Sequence, residues 1–322
     1  MPRSTPSVSE PFPVRRVADV PERPPGTRWT VEGLWARAGV GIIGGLPKCK
    51  KTWLAAEIAL GVATGVPVLS RFAVHDPGPV VFFGAEDDAP SLRERFAGLA
   101  AVRGVSLADA PVLLLDAAEL RLDRVDHLAR LDATVAEHRP RLLVLDPFVR
   151  LARVDENSAG DVSAVLGSLR ALQRARDVAI LVVHHMRKAR TAHPGQQLRG
   201  SGDFAAWTDS ALFLTRRGAD AMLLTIEHRG AAAPDPVSLR LATDPAPHLA
   251  LDASGGDAAP ASSQDPLEGA VLAALADTGP QHTTALQRRL RVRKESVVHA
   301  VAALRERGLV ARREEGWALV GA

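Results

Sequence analysis

The sequence is poor in cysteine and has no long apolar run. Cys49 is the single cysteine among 322 residues, which excludes an internal disulfide and a cysteine-rich metal cluster and is typical of a reducing compartment. No stretch approaches the roughly 18 consecutive apolar residues of a membrane span, and the N-terminus has no apolar signal segment. The sequence therefore predicts a cytoplasmic protein without a membrane partner, whose fold depends on its apolar core.

Composition divides the chain into two domains and two polar segments. Seven prolines crowd residues 1–27, which predicts a disordered arm, and residues 253–265 (ASGGDAAPASSQD) have the composition of a linker. The predicted domains are residues 28–252 and 266–322. The net charge is only +3, but residues 266–322 hold nine Lys or Arg against six Asp or Glu, so the small C-terminal domain is expected to be basic.

Periodicity in residues 28–252 predicts an α/β fold. Short apolar runs alternate with amphipathic stretches, from VGIIGG at 40–45 to AILVVHH at 179–185. This alternation is typical of a mostly parallel sheet that is covered by helices on both faces. The later runs SALFLTRR, AMLLTIEHR and VSLRLA follow one another without helices. They are expected to form antiparallel strands at one edge of the sheet.

A phosphate-binding loop follows the first of these strands. Residues 45–52 fit the pattern GxxxxGK[ST], except that Lys50 stands where the second glycine belongs; the predicted nucleotide contacts are Gly45, Pro47, Lys48, Cys49, Lys50, Lys51, Thr52 and the adjoining Trp53. Backbone N–H groups and a helix N-terminus attract phosphate, so Lys51 is expected to reach the β- and γ-phosphates and Thr52 to ligate Mg²⁺. A lysine at position 50 must adopt dihedrals that glycine adopts freely. The alternative is an ordinary basic turn, but the position after a strand favours phosphate binding.

Two further strands deliver carboxylates to the same predicted edge of the sheet. RLLVLDP at 141–147 places Asp146 at a strand end, where it is expected to hold Mg²⁺ through water. The strand VVFF precedes Glu86, which is the predicted base that activates the attacking water. An apolar strand ending in Asp is also common as a cap or turn. For Asp87 and Asp88, N-capping of the next helix is favoured over catalysis.

The order of these motifs resembles that of the RecA-like ATPases of the RepA type, a group that includes hexameric plasmid replication helicases. The resemblance covers about residues 28–245. It implies a RecA-like P-loop core that binds ATP and Mg²⁺ and self-associates, with a hexameric ring as one form. Lys51, Thr52, Glu86 and Asp146 match the residues for phosphate, magnesium, catalysis and the Walker B strand. His184 matches a polar sensor near the γ-phosphate, and spacing alone does not decide between His184 and His185.

The resemblance also implies DNA and subunit contacts. The segment that contains Arg187, Lys188 and Arg199 corresponds to loops that face a central channel, and its positive charge suits a nucleic-acid backbone. A solvated surface loop is the alternative, because no aromatic residue offers base stacking. Arg229 matches part of an arginine finger that reaches a neighbouring subunit, although Glu227 replaces its lysine. Arg199 is the competing finger, and an ordinary surface arginine is the third interpretation of Arg229.

Residues 266–322 read as three helices followed by a hairpin, which resembles a winged helix-turn-helix. Basic residues flank the third helix and occupy the wing, and those expected to contact DNA are Arg291, Arg293, Lys294, Arg312 and Arg313. Several glutamates dilute this charge, and many winged helices bind proteins instead. Three functions remain open: a DNA-stimulated helicase-like motor, a DNA-binding ATPase switch, and an ATP-dependent protein adaptor.

Overall fold

A computed structural model describes residues 13–22, 24, 26–152, 159–186, 201–218, 220–252, 266–290, 292–306, 308–313 and 316–320. The predicted linker at 253–265 and the basic segment at 187–200 lie outside these residues. The chain forms two compact units, Met1–Ala253 and Ser254–Ala322.

The first unit alternates strands and helices along most of its length. Its elements are β1 (Trp29–Val31), β2 (Trp35–Ala36), β3 (Val40–Gly45), α1 (Lys51–Thr64), β4 (Val80–Gly84), α2 (Ala89–Arg103), β5 (Val112–Leu114), α3 (Val125–His138), β6 (Leu142–Asp146), α4 (Phe148–Leu151), α5 (Ala159–Arg176), β7 (Ala179–His185), α6 (Ser201–Trp207), β8 (Ser210–Arg216), β9 (Ala221–His228), β10 (Val237–Ala242) and β11 (His248–Leu251). The α/β fold that the sequence predicts is confirmed.

Nine strands form the central sheet, in the order β11-β10-β9-β8-β3-β7-β6-β4-β5. The six strands from β8 to β5 pair in parallel, and β9, β10 and β11 continue the sheet antiparallel. The prediction that SALFLTRR is an antiparallel addition is therefore wrong. This run is β8, which pairs in parallel with β3, because α6 precedes it and returns the chain across the sheet.

Alternation along each strand sends side chains to two different cores. Ile43 of β3 packs with α1 and α2 on one face, whereas Ile42 packs with α3, α5 and α6 on the other. Every apolar residue of β3, β4, β6 and β7 is thus buried on one face or the other. This explains why these strands read as continuous apolar runs in the sequence.

The second unit has its own apolar core. Its elements are α7 (Pro266–Thr278), α8 (Thr283–Leu290), α9 (Lys294–Glu306), β12 (Val310–Arg313) and β13 (Gly316–Leu319). Leu286, Val297 and Leu304 are fully buried between the helices, and β12 pairs antiparallel with β13. In the part of the chain that the structure describes, no helix has the length and apolar character of a membrane span.

Candidate nucleotide-binding site

The loop between β3 and α1 has the backbone that a phosphate-binding loop requires. Lys50 caps α1 in a left-handed conformation with φ of 61° and ψ of 29°, so this lysine adopts the dihedrals that glycine usually supplies. Its side chain makes no capping hydrogen bond, and the first turn of α1 holds no acidic residue. The N–H groups at the start of α1 therefore have no side-chain acceptor from the cap, and the positive end of the helix dipole suits an anion.

Lys51 lies beneath this loop with its ammonium turned inward. It is only 6% exposed, and its Nζ donates to the Leu46 carbonyl at 3.0 Å. Burial lowers the pKa of Lys51, while the carboxylates of Asp146 and Glu86 act in the opposite direction. The charges of these three residues therefore converge at one place.

Asp146 ends β6 as the sequence predicts and faces the core that contains α1. Its side chain is 5% exposed, and Oδ2 has no hydrogen-bond partner among the described residues. Burial raises the pKa of Asp146 to about 6, although a hydrogen bond from Thr52 opposes the shift. A buried carboxylate oxygen without a partner is costly unless something binds it. The oxygen donors of Thr52 and Asp146 fit Mg²⁺, which prefers hard oxygen ligands and retains several waters.

Glu86 lies just beyond β4, one strand away from Asp146, because Gly84 of β4 pairs with Asp146 of β6. Its side chain is about half exposed, and Oε1 accepts a hydrogen bond from Nε of Arg150 at 3.2 Å. Arg150 belongs to the short helix α4 that follows Asp146. Sequence reasoning missed this arginine, since no periodicity or motif distinguishes it.

Asp87, Asp88 and Trp53 have structural contacts. Asp88 caps α2 by accepting from the Ser91 amide at 2.9 Å, as predicted. Asp87 does not cap the helix, because its carboxylate pairs with Arg95 at 2.7 Å. The Arg95 guanidinium also lies 4.9 Å from the centre of the Trp53 ring. The structure thus places Trp53 in the packing between α1 and α2, and no described contact directs it toward the phosphate loop.

The two histidines at the end of β7 point to opposite faces of the sheet. His184 is fully buried on the face away from α1, where its ring stacks on Phe204 at 4.3 Å. This placement does not support His184 as the sensor. Strand alternation turns His185 to the α1 face, and His185 pairs in register with Gly45, the first residue of the phosphate loop.

Arg229 follows β9 at the opposite edge of the sheet from the phosphate loop. Its amide donates to the Asp209 carbonyl at 3.0 Å, and Asp209 precedes β8. Gly45 pairs with Leu214 near the other end of β8, five residues from Asp209, which corresponds to about 16 Å along a strand. Arg229 is half exposed, and its guanidinium lies 3.6 Å from Asp209 Oδ1. It is therefore too distant to act on a nucleotide held by its own chain.

The residues expected to contact DNA are only partly described. Arg187, Lys188, Arg199 and Arg291 lie outside the described residues. Arg293, Arg312 and Arg313 are exposed on the second unit. Lys294 begins α9.

The strand order and the site define the class of protein. The phosphate-loop strand β3 and the carboxylate strand β6 are separated by β7, and the loop, Asp146 and Glu86 meet at the carboxyl edge of a mostly parallel sheet. This is a P-loop ATPase with a RecA-like core, a class that binds ATP together with Mg²⁺.

Comparisons with known proteins give one family match and similar solved structures. Residues 5–191, more than half of the chain, match the family described as the AAA domain, and the chain belongs to that family. Among solved structures, the RadB recombinase is similar with a TM-score of 0.48 and 18% identity, over 64% of this chain and 88% of that chain. A DnaB-like replicative helicase, from a structure describing its interactions with primase, has a TM-score of 0.49 and 15% identity. That similarity covers 64% of this chain and 56% of the helicase chain.

Proposed function

We propose that this protein hydrolyses ATP as an assembly of several copies and uses the cycle to act on DNA, as a RepA-type helicase-like motor. The observation that carries the proposal is the convergence of Lys51, Asp146 and Glu86 at one edge of the sheet. A nearly buried carboxylate with an open oxygen, next to a buried lysine and a half-exposed glutamate, suits Mg·ATP and an attacking water.

Each residue has a separate role in this proposal. Lys51 and the amides of α1 hold the phosphates, while Thr52 and Asp146 would hold Mg²⁺, which neutralises charge on the phosphates when it is bound. Glu86 orients the attacking water and accepts its proton. The second carboxylate oxygen of Glu86 is available for the water, since the contact with Arg150 uses Oε1. The proposed sensor of the γ-phosphate is His185 in place of His184.

Arg229 is proposed to act on the nucleotide of a neighbouring copy. Its position at the edge opposite the phosphate loop prevents action within one chain but suits a head-to-tail assembly, in which one edge meets the other edge of the next copy. An arginine supplied in this way stabilises the charge of the transition state and is worth about 10³ to 10⁵ in turnover. The assembly, in which a hexameric ring is one form, is part of the proposal.

The test is ATP hydrolysis by the purified protein, with and without single- and double-stranded DNA. Lys51→Ala is expected to weaken nucleotide binding, and Glu86→Gln to retain binding while turnover falls by about 10² to 10⁴. Glu119→Gln is the matched control, because Glu119 has the same 48% exposure and also pairs with an arginine, at 2.7 Å. Equal turnover in Glu86→Gln and Glu119→Gln would contradict the role of Glu86. Turnover that no DNA changes would contradict the motor.

A second candidate, an ATP-dependent protein adaptor, is favoured by the outward side of α9. Among the residues of α9 whose burial the structure describes, those exposed there are Glu295, Val298, His299, Ala302 and Arg305, which include one acid and one arginine. Val298 and Ala302 line an open pocket of about 470 Å³ together with Trp317. A helix that enters a DNA groove usually carries more positive charge on this side.

DNA affinity across a salt series separates the two candidates. If the second unit binds DNA, Arg305→Ala and Arg312→Ala each weaken binding and reduce its dependence on salt, since each removes a phosphate contact. Unchanged affinity and salt dependence in both variants would favour the adaptor. Val298→Asp, which places a carboxylate in this pocket, would then be the variant that abolishes protein binding.

A further inference from the structure

A cluster of three aromatic rings fixes α6 to the nucleotide edge of the sheet. Phe204 of α6 is fully buried, stacks on His184 with a ring distance of 4.3 Å, and meets Phe148 edge to face at 5.0 Å. Phe148 also meets His184 edge to face at 5.8 Å. Close packing of this kind transmits small displacements, because protein cores contain few voids.

Both partners of Phe204 lie within two residues of a residue of the proposed nucleotide site. His184 is the neighbour of His185, which pairs with Gly45 of the phosphate loop. Phe148 stands two residues after Asp146. A displacement of either strand end on ligand binding therefore reaches Phe204 through one ring contact.

The other end of α6 holds Arg229. The carbonyl of Ala206 accepts from Nη2 of Arg229, and the carbonyl of Trp207 accepts from Nη2 of Arg170. Asp209 joins the two arginines, since it pairs with Arg170 at 2.6 Å and with Arg229 at 3.6 Å. Asp209 also accepts from the Val40 amide at 3.0 Å. Charged donors on the last carbonyls of a helix fix its C-terminal end.

We propose that α6 is a positioning element: it links the nucleotide site of one copy to the arginine which that copy presents to its neighbour, with Phe204 as the contact at the nucleotide end. The inference rests on the proposed role of Arg229 in trans. Arg229 is half exposed, and an exposed ion pair contributes little stability, so a small shift of α6 suffices to change where its guanidinium points.

Mixed assemblies test the proposal, because they separate the chain that supplies the arginine from the chain that hydrolyses. The acceptor is Arg229→Ala, which keeps its own nucleotide site intact. The donor is Glu86→Gln, which keeps Arg229 but does not hydrolyse. Each is expected to be nearly inactive alone, whereas the mixture regains turnover at least tenfold above the sum of the two.

The decisive variant is a donor that also carries Phe204→Leu. The acceptor site is unaltered in this mixture, so a loss of rescue reports where the donor places its arginine. Rescue is expected to fall at least tenfold. Phe96→Leu in the donor is the matched control, since Phe96 is also buried, at 2% exposure, but packs on the opposite face of the sheet against Phe82. Phe204→Met replaces Phe204→Leu if the thermal midpoint shows that the leucine variant is not folded.

The outcomes are distinguishable. If the Glu86→Gln donor does not rescue Arg229→Ala at all, Arg229 does not act on the nucleotide of a neighbouring copy. The proposed role of α6 is then contradicted as well. If that donor rescues, and the donors that also carry Phe204→Leu or Phe96→Leu rescue equally, the action of Arg229 on a neighbouring copy is supported. The link through α6 is then overturned. Loss of rescue with the Phe204 donor alone supports the link.

Discussion

At the scale of single residues, the nucleotide site is built from charges that are unfavourable without a ligand. Asp146 is almost entirely buried, with its pKa raised by burial to about 6, and Lys51 is buried with its pKa lowered for the same reason. Groups whose pKa values are displaced by burial in one place are typical of functional sites. The fold accepts this cost at the position where Mg²⁺ and phosphate would compensate for it.

The stability of the ligand-free protein should therefore improve when Asp146 becomes Asn. The folded state holds the proton of Asp146 more tightly than the unfolded chain, whose pKa is the ordinary 3.8. The contribution of Asp146 to the free energy of unfolding is therefore fully present below pH 3.8, and it is lost as the pH rises through about 6. Each pKa unit corresponds to about 1.4 kcal/mol. We expect Asp146→Asn to lie close to the parent at pH 4 and to exceed its free energy of unfolding by about 3 kcal/mol at pH 7.5, measured by urea denaturation without Mg²⁺ or nucleotide.

Asp132→Asn is the control with the opposite sign. A hydrogen bond from Arg176 lowers the pKa of Asp132, so its contribution to stability is present above the ordinary pKa and is lost in acid. This variant should be slightly less stable than the parent at pH 7.5. A stability difference for Asp146→Asn that does not grow between pH 4 and 7.5 would mean that burial does not control the protonation of Asp146.

The two adjacent histidines should respond to substitution in different ways. His184→Ala removes a fully buried ring from the cluster with Phe204 and Phe148, so we expect it to lower the free energy of unfolding by about 2 kcal/mol or more. His185→Ala, on the α1 face, should lower kcat while the thermal midpoint changes little. Thermal unfolding and steady-state ATP hydrolysis of both variants test this. An unchanged kcat in His185→Ala would contradict the sensor role of His185.

The residues of the site were predictable where a motif places them along one strand and loop. Lys51, Thr52, Glu86 and Asp146 follow from strand ends and a phosphate loop, and the structure brings Lys51, Glu86 and Asp146 together. The choice between His184 and His185 depends on which face the last residues of β7 present, and the burial of β7 on both faces hides that alternation. Contacts between distant segments, such as Arg150 with Glu86 or Asp209 with Arg170, leave no local pattern.

At the scale of elements, the parallel pairing of β3 with β8 depends on a close approach at Gly41. A Cβ at this position would lie 1.8 Å from the Ser210 carbonyl oxygen and 2.9 Å from the Trp35 ring. The backbone of β8 must move away to accept any side chain there. Since β8 also carries β9, β10 and β11, the whole antiparallel extension depends on this contact.

Gly41→Ala is therefore expected to lower the free energy of unfolding by about 3 kcal/mol or more, because a strand must shift in a packed core. Gly167→Ala is the matched control: Gly167 lies in α5, and a Cβ there meets nothing within 4 Å. Replacing a helical glycine by alanine should raise stability by about 0.5–1 kcal/mol. Denaturant unfolding of both variants gives the comparison. Equal stability of the two would contradict the close approach at Gly41.

Elements with strong periodicity were predictable from the sequence, whereas short elements and the pairing direction of β8 were not. Among the amphipathic stretches of residues 28–252, the one at 125–138 forms α3, and α8 is the second of the three helices predicted in residues 266–322. The short elements α4, α6 and β11 were missed, because four to seven residues do not establish a period. The direction of β8 was wrong because α6 is one of these missed elements.

At the scale of the whole molecule, the sheet separates two functional ends. The phosphate loop, Asp146 and Glu86 lie at the carboxyl edge of the parallel strands, while Arg229 lies at the other edge beside Asp209. If Arg229 serves a neighbour, one chain holds half of each site, and a single copy cannot complete the catalytic centre. Turnover then depends on assembly.

We therefore expect ATP turnover per chain to rise with protein concentration, in parallel with the size of the assembly measured by light scattering. Arg229→Ala should assemble over the same range but lose the rise in turnover, by about 10³-fold or more at the highest concentration. Arg240→Ala removes an exposed arginine from β10 and should behave as the parent. Turnover per chain that stays constant while the protein passes from single copies to assemblies would show that each chain completes its own site. In that case the group that stabilises transition-state charge must be sought at the carboxyl edge, where Arg150 already contacts Glu86.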